Sequence, residues 1–428
     1  MLFLILVILA LLVISIYKPT TGLIALLVCY PTLSMLSFPI NIVVVGLLFV
    51  ILGLIFNAGN IKIEQKRFPI FLAFTISAAS YLLTFMVSNE FSKALAFISR
   101  SREYLLALFL WYLFVAKKRN HKHLIYWMIA FTAIMALYGI VESFTSQNPF
   151  IRFLYRNHLI SNIQREESFR YGLYRAQSLT IWCSAFGVAS CMGFILVGHY
   201  YFSKFKHSLL RPLFFLIYFV LCSLAVICCG TRSVYVVMVL SSLSFLPYFK
   251  IRTLKLVIPM VFMVVLAYMF YGDFFRMITD SMINDEAVGG SSFNMRQTQW
   301  KVVLSISNKS FWFGHGLGSV PEMTSTYAGL YGAESLVFTT MIERGVLGLL
   351  SVAFLYGQII IWLIRESQYR LIFVVVAFIV GKIISLFPGN GECYILMIII
   401  PLYKWLSCSD KVRLEYIIKR IKNESTVV

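Results

Sequence analysis

The chain has 428 residues, of which 60% are hydrophobic and 13% are charged, and its formal net charge is +19. So small a charged fraction excludes an ordinary soluble domain, in which about a quarter of the residues are charged. The composition predicts an integral membrane protein. The positive charge does not indicate a nucleic-acid partner, because it is divided among short loops and forms no continuous patch.

Apolar segments follow one another along the whole chain, and a helix needs about 20 residues to cross a bilayer. The first two are the weakest candidates, since few residues separate them and Pro31 interrupts the second. The sequence therefore predicts an all-α polytopic transmembrane bundle of about 12 spans, in a single domain over residues 1–428. The candidate spans are 2–17, 21–37, 40–58, 68–87, 103–116, 124–145, 177–202, 212–229, 233–249, 254–271, 334–364, 371–387 and 391–406.

The amino-terminal segment lacks a basic start and a small-residue cleavage site, so we expect it to remain as a membrane anchor. Lys and Arg then collect in every second loop, as one orientation of the bundle requires. This pattern predicts a smaller outer loop at 147–175, a large outer loop at 272–333 with short helices, and a basic cytoplasmic tail at 407–428. The basic loops also suit anionic lipid head groups.

The eight cysteines lie within or at the edges of apolar spans, and no Cys-x-x-Cys or His/Cys metal spacing occurs. We therefore expect neither a disulfide framework nor a metal site.

Two arginines lie where an outer loop meets a span. Arg175 ends the smaller loop, and Arg232 lies in the short turn Gly230-Thr-Arg-Ser233 inside a long apolar stretch. A guanidinium at the membrane edge can bind a phosphate in a bidentate fork. It can equally anchor the chain at the head groups or mark a turn. Both interpretations stay open at this point.

The large loop contains two further patterns. Arg296 and Trp300 are spaced to share one face of a predicted helix. The run Phe313-Gly-His-Gly-Leu-Gly318 does not match the dinucleotide-binding spacing, and no strand precedes it. Its glycines predict sharp turns and a close approach of the backbone to a ligand or to another helix.

Two carboxylates lie where the large loop re-enters the membrane. Glu334 and Glu343 are at or inside the returning helix. An acid there can interact with the helix dipole, with Arg344 or another basic group satisfying Glu343. Alternatively, an acid at the outer mouth can act as a general base.

This order of elements resembles the O-antigen polymerase and O-antigen ligase superfamily, integral-membrane glycosyltransferases that act on lipid-linked oligosaccharides. The resemblance is in topology over the whole chain and in pattern from about residue 130 to 350. Five motifs carry it: Arg175 at the start of a span, the turn 230–233, the Arg296-x-x-x-Trp300 helix, the glycine run 313–318 and Glu343-Arg-Gly-Val-Leu-Gly348 in the returning helix.

The resemblance implies a multi-pass enzyme of the bacterial inner membrane with its large loop in the periplasm. It implies transfer of a glycan from an undecaprenyl diphosphate-linked donor to a sugar hydroxyl, with inversion and without a metal ion or other cofactor. A chain-length regulator and a flippase are the partner proteins that it suggests.

The resemblance also assigns roles to residues. Arg175 and Arg232 would stabilise the lipid pyrophosphate that leaves, and Glu334, or else His315, would accept the proton of the acceptor hydroxyl. The expected substrate-binding residues are Arg296, Trp300, Tyr331, Gly316 and Gly318. For the two aromatic residues, a place in the interfacial aromatic belt is the competing explanation.

Ligases of the superfamily generally have a histidine where the large loop re-enters the membrane, and this chain has Glu334-Ser335. A polymerase of surface-polysaccharide repeat units is therefore the preferred interpretation. The first alternative is a ligase that transfers the polysaccharide to lipid A core. The second is a transporter or flippase, for which Lys382 supplies a charge inside a span.

Overall fold

The structure is a computed structural model, and it describes residues 9–10, 13–34, 36, 42–56, 71–88, 92–111, 121–160, 169–170, 173–203, 210–248, 293–330, 335–384 and 392–409. Among these residues, the only strands are Phe169–Arg170 (β1) and Leu173–Tyr174 (β2), a short antiparallel pair. The rest of the regular structure is helical, which confirms the predicted all-α class. The candidate span 254–271, Glu334, Tyr331 and the tail from residue 410 lie outside the described residues.

The helices of the first half fall close to the predicted spans. They are α1 Pro19–Val28, α2 Tyr30–Leu33, α3 Ile42–Phe56, α4 Phe71–Ser88, α5 Ser92–Trp111, α6 His121–Thr145 and α7 Pro149–Arg156.

The second half continues in the same way. Its helices are α8 Cys183–Ser203, α9 Leu210–Cys229, α10 Arg232–Ser242, α11 Phe293–Ser307, α12 Val320–Thr326, α13 Leu336–Arg365, α14 Tyr369–Ile384 and α15 Leu396–Ser409, with short 3₁₀ turns at Leu243–Tyr248, Ala328–Leu330 and Glu392–Ile395.

Three of the described helices are long and apolar enough to cross a membrane, namely His123–Thr145, Cys183–Ser203 and Leu336–Arg365. Several shorter apolar helices accompany them. Two boundaries differ from the hydropathy prediction. Helix α5 begins at Ser92 and not near 103, because its charged first turns lower the hydropathy without ending the helix. Helix α8 begins at Cys183 and not near 177, because residues 175–182 form turns.

Contacts at the helix ends show how the second half is arranged. At one end, the Ala176 amide donates to the Cys228 carbonyl over 2.9 Å. At the other end, Ser203 accepts from Trp405 Nε1 over 2.7 Å and from Ser409 Oγ over 2.8 Å. The beginning of α8 therefore lies beside the end of α9, and the end of α8 lies beside the end of α15. Helices α8 and α9 therefore run antiparallel, and α8 and α15 end at the same side of the bundle.

The centre of the bundle depends on close contact between α6, α8 and α9. Gly193 of α8 faces Thr132 of α6 and Tyr218 of α9. A Cβ atom added at Gly193 would lie 2.5 Å from Thr132 Oγ1 and 2.8 Å from Tyr218 Oη. The glycine thus sets the spacing of three helices, because a closely packed interior has no room for another methyl group.

Gly193→Ala is expected to destabilise the protein by about 1–3 kcal/mol, since the new methyl group must push two helices apart. The thermal unfolding midpoint of the purified protein in detergent measures this effect. Gly357→Ala in α13 is the matched control, because no atom lies within 4 Å of the added Cβ there. Equal midpoints for the two variants would contradict this packing.

Candidate functional site

Arg175 and Arg232 both lie at the turn between α9 and α10. The side chain of Arg175 lies across Gly230, where an added Cβ would be 3.1 Å from Arg175 Cγ and 3.4 Å from its Nε. Arg175 Nη2 donates to Thr231 Oγ1 over 3.4 Å. Gly230 has a φ of 61°, a left-handed conformation that glycine adopts without strain. Arg232 follows as the first residue of α10.

In this arrangement the guanidinium of Arg175 still has an N–H group that can donate a hydrogen bond. Its Nε is buried and has no hydrogen-bond partner among the described residues. A guanidinium carries five N–H donors in a planar fork, a geometry that matches the oxygens of a phosphate. The structure therefore brings together two residues that the sequence separates by more than fifty positions, and both are cationic.

A buried carboxylate holds the turn that carries Arg175. Glu142 of α6 is 1% exposed. Its Oε1 accepts from the Gln177 amide over 3.1 Å, and its Oε2 accepts from the Ser178 amide over 2.6 Å. Two neighbours of Glu142 bind the same turn through its carbonyl groups. Ser143 Oγ donates to Tyr174 O over 2.7 Å, and Asn148 Nδ2 donates to Ser178 O over 2.9 Å.

Sequence reasoning missed Glu142 and its neighbours. The only local signal is an acid inside an otherwise apolar span, since Glu142 lies three residues before the end of α6. Such an acid is expensive in a membrane and normally has a partner. Its partners here are backbone amides more than thirty residues away, which no residue pattern identifies.

The glycine run docks against a break in α13. Gly345 interrupts this helix with φ 62° and ψ −158°, so the helical hydrogen bonds around it are lost. Residues 311–316 replace them with four backbone hydrogen bonds. These bonds run from His315 N to Ile342 O (2.8 Å), from Gly316 N to Glu343 O (3.1 Å), from Val346 N to Phe311 O (3.0 Å) and from Leu347 N to Trp312 O (3.2 Å).

The glycines make this contact possible. Gly314, Gly316 and Gly318 all have positive φ angles, and a Cβ added at Gly314 would lie 2.5 Å from the Arg344 amide nitrogen. Close approach to a helix, one of the two roles predicted for the run, is thereby confirmed. Glu343 completes the contact, because its Oε1 accepts from the Gly318 amide over 3.1 Å. Ligand binding by Gly316 and Gly318 stays a prediction.

Arg344 turns away from the glycine run into the bundle. Its guanidinium lies 4.0 Å from the centre of the Tyr81 ring, and its Nη1 donates to Ser80 Oγ over 3.1 Å. This cation–π contact and hydrogen bond tie α13 to α4. The imidazole of His315 donates from Nε2 to the carbonyl of Ile306 over 3.0 Å. His315 thus lies against α11 in the structure.

Of the remaining predicted residues, the structure describes Arg296 and Trp300, both in α11. Arg296 Nη1 donates to Gln299 Oε1 over 2.9 Å, and the Trp300 ring lies 5.9 Å from the ring of Phe338. Helix α11 thereby packs on α13, with Trp300 42% exposed. Glu334 and Tyr331 are outside the described residues. The next residue, Ser335, caps α13 and donates from Oγ to the Ile383 carbonyl over 2.7 Å.

The described site residues therefore form two groups. One is the arginine pair at the start of α10, and the other is the loop around the start of α13. Helix α14 packs against both α10 and α13, which connects the two groups through one helix. Within the described part of the chain, no three His, Cys, Asp or Glu side chains lie close enough together to hold a metal ion.

The apolar helices, with two arginines beside the turn that precedes α10, define the class of protein. The chain is a helical integral membrane protein. Residues 217–353 match a family model described as O-Antigen ligase, a segment that includes Arg232, the glycine run and the break in α13. Over this segment the match supports the resemblance to the O-antigen ligase and polymerase superfamily. The match does not separate a polymerase from a ligase. A comparison with curated proteins finds no match.

Gly314→Ala is expected to loosen the contact between the glycine run and α13. The substitution combines a strained positive φ with a Cβ 2.5 Å from the helix backbone, so a loss of about 1–3 kcal/mol is expected. Limited proteolysis of the purified protein, with cleavage between residues 308 and 330 as the readout, measures this loosening.

Gly329→Ala is the control in the same loop, because the nearest atom to its added Cβ is a Val302 methyl group at 3.1 Å, which belongs to a side chain that can adjust. Faster cleavage is expected for Gly314→Ala alone. Equal cleavage rates in both variants would show that the glycine run does not need its close contact with α13.

Proposed function

We propose that this protein is a membrane-embedded glycosyltransferase that polymerises oligosaccharide repeat units of a surface polysaccharide. The donor is a glycan on undecaprenyl diphosphate, and the acceptor is the terminal sugar hydroxyl of another lipid-linked repeat unit. The reaction takes place at the periplasmic face of the bacterial inner membrane, on the side of the large loop. The observation that carries the proposal is that Arg175 contacts Gly230 and Thr231 in the turn that Arg232 directly follows, which places two arginines beside one turn.

The arginine pair suits the leaving group of this reaction. As the anomeric carbon separates from the pyrophosphate, negative charge grows on the phosphate oxygens. Preorganised cationic donors stabilise this charge more strongly in the transition state than in the bound donor. Two guanidinium groups beside one turn offer several N–H donors to such a group. The pair therefore supplies a role that a divalent cation fills in other glycosyl transfers.

The bond changes follow from direct displacement. The oxygen of the acceptor hydroxyl forms a bond to the anomeric carbon while the bond from that carbon to the pyrophosphate oxygen breaks. The electron pair leaves with undecaprenyl diphosphate, and the hydroxyl proton passes to a general base. Attack from the face opposite to the leaving group inverts the anomeric configuration.

We assign the base to Glu334 and keep His315 as the second candidate. Glu334 immediately precedes the residue that caps α13, so it belongs to the junction of the large loop with the bundle. His315 already donates to a backbone carbonyl, which favours a supporting role for its imidazole. Arg296, Trp300 and Tyr331, together with Gly316 and Gly318, are proposed to contact the glycan. The exposed ring of Trp300 suits stacking on a sugar face.

A ligase is the second candidate, and one specific observation favours it. The matching family model is described as O-Antigen ligase. A ligase uses the same lipid donor and transfers the finished polysaccharide to lipid A core. The arginine pair serves either reaction, because both release the same pyrophosphate.

The proposal is tested with a deletion strain complemented by the intact gene, by Arg232→Ala or by Glu334→Ala. Arg232→Ala is expected to lower polymer formation at least about 100-fold, because removal of one charged donor to a transition state costs about 2.7–4 kcal/mol. A stained gel of surface polysaccharide measures the result, and a ladder that collapses to a single repeat unit is expected for both variants.

Arg156→Ala is the matched control, because it removes an exposed arginine from the smaller loop. A normal ladder is expected from it. If the deletion strain accumulates long chains on the carrier lipid, the protein is a ligase. A normal ladder with Arg232→Ala would overturn the assignment of the arginine pair, and a normal ladder in the deletion strain would overturn the proposal as a whole.

A further inference from the structure

We propose that Glu142 is a positioning residue for Arg175: its buried carboxylate fixes the turn 174–178 so that the Arg175 guanidinium lies over Gly230 and Thr231, ready to bind a lipid-linked diphosphate. This inference rests on the proposed function, because it assumes that Arg175 contacts the diphosphate. It adds a residue outside the segment that the family model matches.

The turn 174–178 has an unusual backbone geometry. Ser178 has a φ of 55°, which is uncommon for a residue with a side chain and needs support from its surroundings. Glu142 gives that support by accepting from two consecutive amides, those of Gln177 and Ser178. Arg175 lies only two residues before Gln177. A change in the direction of these amides therefore moves the backbone from which the guanidinium extends.

The Glu142 carboxylate also suits the two amides chemically. Two neighbouring N–H groups point at one side chain, and a carboxylate has an oxygen for each of them. A glutamine in the same place would accept one amide through its oxygen and would set its own NH₂ group against the other. The position thus calls for a side chain with two acceptor oxygens, which a glutamine does not have.

Groups from several parts of the fold also bind the turn that carries Arg175. Ser143 and Asn148 bind its carbonyl groups, and the Ala176 amide reaches the Cys228 carbonyl at the end of α9. Glu142 is the only one of these side chains that makes two hydrogen bonds to the turn. It also lies deepest, since it is 1% exposed against 5% for Ser143 and 6% for Asn148. Loss of its bonds leaves two buried amides without their acceptor, a change that the other contacts do not repair.

A double-mutant cycle with undecaprenyl diphosphate as the probe tests the inference. The full-length protein is placed in lipid nanodiscs, and binding is measured for the wild type, Arg175→Ala, Glu142→Gln and the double variant. Arg175→Ala is expected to weaken binding about tenfold, and Glu142→Gln about as much. The double variant is expected to bind no more weakly than Arg175→Ala alone, because Glu142 acts through Arg175. A purely structural role would give additive losses.

Glu322→Gln is the control with the same change of chemistry, because Glu322 is exposed in the large loop and should bind the probe like the wild type. Glu142→Asp keeps two acceptor oxygens and is expected to recover part of the lost affinity. If Glu142→Gln does not fold, Ser143→Ala takes its place in the cycle, since it removes another bond to the same turn.

The outcomes separate this inference from the proposed function. Wild-type binding by Arg175→Ala would overturn the assignment of Arg175 to the diphosphate, and the positioning role with it. Weak binding by Arg175→Ala together with wild-type binding by Glu142→Gln, or additive losses in the double variant, would overturn the positioning role alone.

Discussion

The structure depends on one constraint: a backbone polar group at membrane depth must find its hydrogen-bond partner within the protein. Regular helices meet this requirement by themselves, and every departure from a helix must meet it in another way. The turn 174–178 does so through Glu142, Ser143 and Asn148. The break at Gly345 does so through the backbone of residues 311–316. Both irregular segments lie among the proposed site residues, since irregular backbone is the means by which a helical bundle presents side chains and amides to a ligand.

The position of the break in α13 indicates how the large loop lies relative to the hydrocarbon layer of the membrane. The whole helix has 30 residues and is about 45 Å long, which exceeds the hydrocarbon thickness of about 30 Å. The part after the break, from Val346 to Arg365, is about 20 residues long and matches that thickness. This places Gly345 near the edge of the hydrocarbon layer and the first turns of α13 above it. The glycine run contacts α13 at this break, so it lies at the same level as the edge of the hydrocarbon layer.

Hydropathy predicted most of the bundle, because the energy of crossing a membrane depends on composition within one segment. Arg175 and Arg232 were predicted for a related reason, since a cation at the end of an apolar segment is unusual by itself. Glu142 was not predicted, because its partners are set by tertiary structure. The predicted closeness of the glycine run to a helix was correct, whereas the break at Gly345 that receives it was missed. The predicted span 334–364 runs through Glu343-Arg-Gly-Val-Leu-Gly348, and this sequence gives no sign that the helix is interrupted.

The arrangement also explains why the arginine pair by itself cannot distinguish a polymerase from a ligase. Both reactions release undecaprenyl diphosphate, so both need the same charge compensation on the donor side. They differ in the acceptor, which is a growing lipid-linked sugar in one reaction and a lipid A core sugar in the other. Discrimination between these acceptors must therefore come from residues that contact the attacking hydroxyl and its sugar. In this chain those residues are proposed to lie in the large loop and at its junction with α13, where Glu334-Ser335 stands in place of the histidine general in ligases. Under the proposed function, the donor side is common to both reactions, and the loop that precedes α13 is the proposed source of acceptor selectivity.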